Sequence, residues 1–119
     1  MQFLNLVTPR EAKEILVQSG AMLVDVREPF EIKLMAIKGL NILYIPLGDL
    51  PTNIDLLREY STIVLICRTD KRSSLAAQTL VSQFRDKSIF VVKGGIVQWW
   101  IDYPMEITES KSASDWYAI

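Results

Sequence analysis

Thr62-Ile63-Val64-Leu65-Ile66-Cys67-Arg68-Thr69-Asp70-Lys71-Arg72-Ser73-Ser74-Leu75-Ala76-Ala77-Gln78-Thr79-Leu80 is the stretch that decides the fold. Ile63 to Ile66 is a β-branched, apolar run of the kind a buried strand carries, and it delivers the only cysteine of the chain, Cys67. A short polar and mostly basic loop follows, from Arg68 to Arg72. Ser73 and Ser74 then open a segment whose apolar residues recur at helical spacing: Leu75, Ala76, Leu80 and Phe84. The pattern is strand, tight loop, helix, with a thiol on the first residue of the loop. A helix N-terminus carries unsatisfied N–H groups and a partial positive charge, so it stabilises an anion held there. Here the anion is a thiolate, or sulfur chemistry built on one.

Working outward, Phe3 to Val7 reads as a short first strand. Thr8-Pro9-Arg10-Glu11 starts a helix, with Thr8 as N-cap, Pro9 in the first turn and Glu11 closing a capping box. That helix is expected to reach about Gln18, with Gly20 past its end. Ala21 to Val26 is a buried strand leading into Arg27-Glu28-Pro29, and Pro29 favours a helical turn over Phe30 to Met35. Gly39 breaks it, and Ile42 to Ile45 makes the next strand. Leu47 to Leu50 and Asn53 to Tyr60 read as short helices separated by Pro51. Beyond the central helix, which ends near Arg85, come a strand from Ser88 to Val92, the turn Lys93-Gly94-Gly95, and a helix from Ile96 to Tyr103 that Pro104 stops. Trp99 and Trp100 are neighbours on that helix and cannot share a face, so one belongs to the core and the other borders the site or a partner surface. Strands alternate with helices and are continuous apolar runs, which predicts an α/β fold with a mostly parallel five-stranded sheet covered on both faces. Ligands bind such sheets beyond the carboxyl ends of the strands, where Cys67 lies.

The 119 residues make one domain by size, with a core over 3–104 and a tail over 105–119. The formal net charge of −1 gives no reason to expect nucleic acid as a partner. No apolar run approaches the roughly 18 residues of a membrane span. The N-terminus carries no signal-peptide pattern, and one cysteine suits a reducing compartment, so the expected location is cytoplasmic. There is no histidine, which excludes Cys-His and Ser-His catalysis and His-ligated metal within the chain. Backbone dipoles and cations must then do what an imidazole base would otherwise do. Arg68, Lys71 and Arg72 supply the cations, set against Asp70.

Laid out in order, these motifs resemble the rhodanese (thiosulfate sulfurtransferase) domain family in its single-domain form. Asp25-Val26-Arg27 followed by Glu31 is similar to that family's Asp-x-Arg motif and its glutamate, and Ile45-Pro46-Leu47 to its Ile-Pro-Leu strand end. Cys67-Arg68-Thr69-Asp70-Lys71-Arg72-Ser73 resembles the active-site loop Cys-x-x-Gly-x-Arg-Ser. Val92-Lys93-Gly94-Gly95 with Trp99 resembles the closing Gly-Gly motif and its tryptophan. The family's loop glycine is Asp70 here. Aspartate is among the few other residues tolerated at φ > 0, so the loop is expected to keep its course. The histidine of the family's Gly-His-Ile-x-Gly segment is absent from Met35-Ala36-Ile37-Lys38-Gly39, a loss read as structural.

The resemblance implies a catalytic Cys67 that takes sulfur from a small anionic donor such as thiosulfate. It would hold the sulfur as a persulfide and pass it to cyanide or a thiol, a protein thiol included. Arg72 would orient the loop or donor, Ser73 would hydrogen-bond near the sulfur, and no metal or organic cofactor is needed. On their own residues, Asp25, Arg27 and Glu31 read as a structural salt-bridge and capping group, Gly94-Gly95 as a backbone turn, and Arg68 and Lys71 as substrate contacts or solvated charges. A lone cysteine after an apolar strand is ordinarily a small buried hydrophobe; the basic loop is what argues for more. Two rivals stand beside this reading. A cysteine phosphatase or arsenate reductase would resemble Cys-x5-Arg, one residue longer than the spacing here. A non-catalytic interaction module would not need Cys67, Arg72 and Ser73 together.

Overall fold

Thr8 does what its surroundings ask: its hydroxyl accepts from the Glu11 N–H at 3.2 Å while the Glu11 carboxylate accepts from the Thr8 N–H at 2.9 Å. This reciprocal cap starts α1 (Pro9–Leu16) directly after β1 (Asn5–Val7). A computed structural model describes residues 5–109. The expected strand residues Phe3 and Leu4, and Trp116, Tyr117 and Ile119 of the tail, lie outside the described residues.

The chain continues through β2 (Ala21–Asp25), α2 (Pro29–Leu34), β3 (Met35–Ile37), β4 (Ile42–Tyr44), a 3-10 stretch (Leu47–Leu57) and β5 (Thr62–Ile66). Then follow α3 (Lys71–Gln83), β6 (Ser88–Val92), α4 (Gly95–Asp102), a 3-10 turn (Pro104–Glu106) and β7 (Ile107–Glu109). Five strands form one parallel sheet in the order β1-β6-β5-β2-β4, with β5 at its centre. Ile63 to Ile66 are fully buried, as a central strand covered on both faces requires.

The alternation along β5 sorts the core into two layers. Ile63, Leu65 and Cys67 face a layer built with Ala76, Ala77 and Leu80 of α3 and with Leu50 and Leu57 of the 3-10 stretch. Val64 and Ile66 face the other, with Ala12 of α1 and Ile96 and Trp99 of α4. Cys67 therefore ends the central strand on the α3 side. No helix among the described residues is long and apolar enough to cross a membrane.

Three elements differ from the sequence expectation. α3 begins at Lys71 rather than Ser73, so Lys71, Arg72 and Ser73 form its first turn and the loop is shorter than its sequence suggests. The two short helices expected around Pro51 are present as 3-10 turns within Leu47–Leu57, but the break between them falls at Asn53 (φ −123°, ψ 19°) rather than at Pro51, and the Asn53 side chain donates to the Asp49 carbonyl at 2.7 Å. Met35, expected to close a helical turn, is extended (φ −157°), and β3 pairs antiparallel with β7 as a separate two-stranded sheet. Ile107 is buried in the α4-side layer, so the packed core runs beyond residue 104.

Candidate active site

The sulfur of Cys67 sits at the start of α3. The Ser73 N–H donates to Sγ at 3.4 Å and the Ser73 hydroxyl lies 3.3 Å from it. The same hydroxyl lies 3.2 Å from the Asp70 carbonyl, to which it donates. With the thiol protonated, S–H can donate to Ser73 Oγ while Oγ–H donates to Asp70. With a thiolate, the hydroxyl can turn and donate to the sulfur instead. Ser73 is thus a switchable partner as well as a fixed N–H donor. Cys67 is only 1% exposed, so the sulfur lies buried against the first turn of α3.

The loop is held from its other side by α4. Ile96 N–H donates to the Cys67 carbonyl at 2.9 Å and Val97 N–H to the Arg68 carbonyl at 3.2 Å. Such close approach is possible because position 95 is glycine at φ +57°, where a Cβ would stand 2.0 Å from the Thr69 carbonyl oxygen. Gly94, at φ +78°, donates its N–H to Asp70 Oδ2 at 3.1 Å. Gly94-Gly95 is a backbone turn, as read from the sequence, and it is also the turn that seats the loop. Asp70 itself adopts φ −154°, ψ 5°, so the left-handed backbone for which aspartate tolerance was invoked is not used. Its carboxylate does new work by tying the loop to the Gly94 turn.

Beneath the loop runs a chain of charges. Asp25 and Arg27 are buried together, with Arg27 Nη2 2.8 Å from Asp25 Oδ2 and Arg27 Nε 3.0 Å from Oδ1. Arg27 Nη1 donates to the Glu31 carbonyl at 3.3 Å. Glu31 takes the Arg72 guanidinium in a two-point pair at 2.6 and 2.8 Å. Glu31 Oε1 also accepts from the Glu28 N–H at 3.0 Å, capping α2. The structural reading of Asp25, Arg27 and Glu31 is thus what their contacts support. What the sequence did not disclose is that Arg72 joins them across the fold, since spacing cannot signal a pair 41 positions apart.

The hydrogen bonds from Arg72 hold the Glu31 carboxyl below its usual range, working against burial and helped by the Glu28 N–H. Glu31 in turn raises Arg72 further. A carboxyl lowered on folding contributes stability that is present above its unfolded value near 4.5 and is lost as pH falls through the folded one. Glu31→Gln is therefore expected to flatten the acid limb of the stability curve. Urea midpoints measured from pH 6 down to pH 3 should fall more steeply for the wild type, and parallel curves would refute the assignment.

A cleft of about 290 Å³ opens beside the loop. Its polar lining is Arg27, Glu31 and Arg68; its apolar wall is Leu34, Met35, Ile96, Val97 and Trp100. Trp99 is fully buried, with its indole N–H 3.4 Å from Glu106, while Trp100 is 43% exposed on the cleft. The division expected of this pair is the one observed. Arg68 faces the cleft, whereas Thr69 and Lys71 are exposed and Lys71 has no ion pair among the described residues. Leu34, Met35, Ile96 and Val97 were not singled out from the sequence, because an apolar residue at a site looks like one in a core. Among the described residues no cluster of three or more Cys, Asp or Glu could hold a metal.

Comparison with known proteins bears on the family and the fold. A Bacillus subtilis protein named as a proposed sulfur carrier, YrkF, is 38% identical over 72 residues, which is 60% of this chain and 38% of YrkF. The chain thus spans well under half the length of that curated relative. A rhodanese-related protein from Thermoplasma volcanium is 30% identical, with a TM-score of 0.70 over 87% of this chain and 97% of its own. Reduced CoADR-RHD from Bacillus anthracis is also 30% identical, with a TM-score of 0.75 over 88% of this chain and 18% of its own. The model of the rhodanese-like domain matches residues 8–102, from the Thr8 cap to the end of α4. The chain belongs to the rhodanese-like domain family.

Proposed function

We propose that this domain is a sulfurtransferase that carries sulfane sulfur on Cys67 between a small anionic donor such as thiosulfate and a thiol or cyanide acceptor. The observation that carries the reading is the Ser73 N–H, in the first turn of α3, aimed at Sγ with the Ser73 hydroxyl beside it. The Cys67 thiolate attacks the outer sulfur of thiosulfate. The sulfur–sulfur bond of the donor breaks, its electron pair leaves with sulfite, and Cys67 carries a persulfide anion. Attack by cyanide or a thiolate on the outer persulfide sulfur returns the Cys67 thiolate. The donors at Ser73 suit the anion at both ends of this cycle. Arg68, exposed at the cleft one residue from Cys67, supports the reading as a cation available to an anionic donor. With one cysteine in these 119 residues, a thiol acceptor lies outside them.

Arg72 weighs against oxyanion chemistry. A phosphatase or arsenate reductase needs an arginine free to clasp its tetrahedral substrate, and Arg72 is already engaged at two points by Glu31. Its role in the proposed cycle is to position the loop. An interaction-only module is separated from the carrier by intact-mass measurement after incubation with thiosulfate. The expected result is a gain of one sulfur atom on the wild type, removed by cyanide, and none on Cys67→Ser. No gain on folded, reduced wild type would remove the thiosulfate reading.

A further inference from the structure

We propose that the cleft is the seat of the chain's own C-terminal segment, residues 110–119, with the Trp116 indole packed on Trp100. The docking stands on the cleft and the segment alone and does not depend on sulfur chemistry at Cys67. The first support is where the segment starts. β7 runs antiparallel to β3, so its last residue, Glu109, pairs with Met35, the first residue of β3. Met35 also lines the cleft, and the Cα atoms of such a pair stand about 5 Å apart. The chain beyond Glu109 thus begins at the rim of the cleft. It begins from a strand that packs against α2, whose Leu34 belongs to the same wall. Trp116 follows seven positions after Glu109, and an extended chain of that length reaches roughly 23 Å.

The second support is composition matched to lining. Leu34, Met35, Ile96, Val97 and Trp100 form an apolar wall in a cleft of about 290 Å³, and Trp100 remains 43% exposed there. Ser110-Lys111-Ser112-Ala113-Ser114 is small and polar, as a tether is, whereas Trp116-Tyr117-Ala118-Ile119 gathers the bulky apolar residues of the segment. An indole seated in the cleft removes a large apolar area from water, and aromatic pairs gain beyond the area they bury. Charge gives the third support. Of the charges lining the cleft, Arg27 is paired with Asp25 and Glu31 with Arg72, which leaves Arg68 without an ion pair among the described residues. Asp115, directly before Trp116, brings the opposite charge. A carboxylate and an aromatic ring, adjacent in the sequence, thus meet a guanidinium and an aromatic ring that line one cleft.

The test is made on the full chain. A nitroxide is attached at Ala118→Cys in a Cys67→Ser background, and amide signals are compared with the label active and reduced. The signals of Met35, Val97 and Trp100 are expected to broaden beyond detection. Those of Thr79 and Gln83 should stay sharp, because α3 covers the opposite face of the sheet. Adding Trp116→Ala should restore the cleft signals. Sharp cleft signals under the active label, or broadening that survives Trp116→Ala, overturn the docking. In a mixture of spin-labelled protein with isotope-labelled protein that carries no spin label, the cleft signals should again stay sharp. Broadening there would make a second copy the occupant and overturn the seat within one chain. A stability cycle needs no label, and Trp100 is exposed, so its truncation leaves the core intact. Trp100→Ala and Trp116→Ala together should lower the folding equilibrium constant by about fivefold less than the product of the single effects. Single effects that simply multiply overturn the pairing of the two indoles.

Discussion

Gly95→Ala is expected to slow sulfur loading of Cys67 about a hundredfold, a loss of the size that an ångström of misplacement at a reacting centre produces. The added Cβ would lie 2.0 Å from the Thr69 carbonyl oxygen, 2.5 Å from that of Cys67 and 2.6 Å from the Arg68 carbonyl carbon. All three are backbone atoms, so no side chain can swing aside. Either α4 or the loop must move, and the bonds from Ile96 and Val97 to the loop carbonyls cannot both survive. Overpacking and the left-handed backbone together should lower stability by about 2–5 kcal/mol. Gly39→Ala is the control. Gly39 has φ +85° but nothing within 4 Å of the added Cβ, so it carries backbone strain of about 1 kcal/mol and should load sulfur normally. Single-turnover mass measurement and urea unfolding of the two variants distinguish the cases. Equal loading in both would show that the approach of α4 to the loop is immaterial.

Arg27→Ala is expected to cost about 3–5 kcal/mol, because it leaves the Asp25 carboxylate buried without its cation. Asp25 and Arg27 are each 2% exposed, and Arg27 makes three side-chain contacts with the Asp25 carboxylate and one with the Glu31 carbonyl. A domain of this size has about 5–15 kcal/mol in total, so the variant should unfold at much lower urea. Converting both residues, as Asp25→Leu with Arg27→Met, should recover much of the loss, since the penalty comes from the orphaned charge more than from the missing attraction. A single variant within about 1 kcal/mol of wild type would mean that water reaches Asp25.

The strands of the parallel sheet were legible because a strand buried on both faces must be apolar throughout, as Ile63 to Ile66 are. Thr8 and Glu11 announced α1 because a capping box is local and its partners lie three residues apart. β3 and β7 were not legible. Each has only three residues, too few to show a period, and their pairing joins Met35 to Glu109. The start of α3 was misread because Asp70, Lys71 and Arg72 carry no apolar periodicity, and Asp70 turns its carboxylate to Gly94 instead of capping the helix. At the candidate site, Cys67, Ser73 and Gly94-Gly95, which the fold brings together, could be picked out from their order along the chain. The bond between Arg72 and Glu31 and the wall formed by Met35 and Val97 could not, because both depend on elements that meet only after folding.

The contacts between α4 and the loop also fix which way the loop's peptides face. In a trans peptide the carbonyl and the amide N–H point in opposite directions. With the carbonyls of Cys67 and Arg68 turned towards Ile96 and Val97, the N–H groups of Arg68 and Thr69 are turned away from α4. The helix draws the acceptors of the loop to itself and leaves donors on the opposite side. The electrical sign of the loop is therefore inherited from a neighbour. Side chains at Arg68 and Thr69 can vary without reversing it, while a tilt of α4 would break the two bonds that set it with every loop residue unchanged.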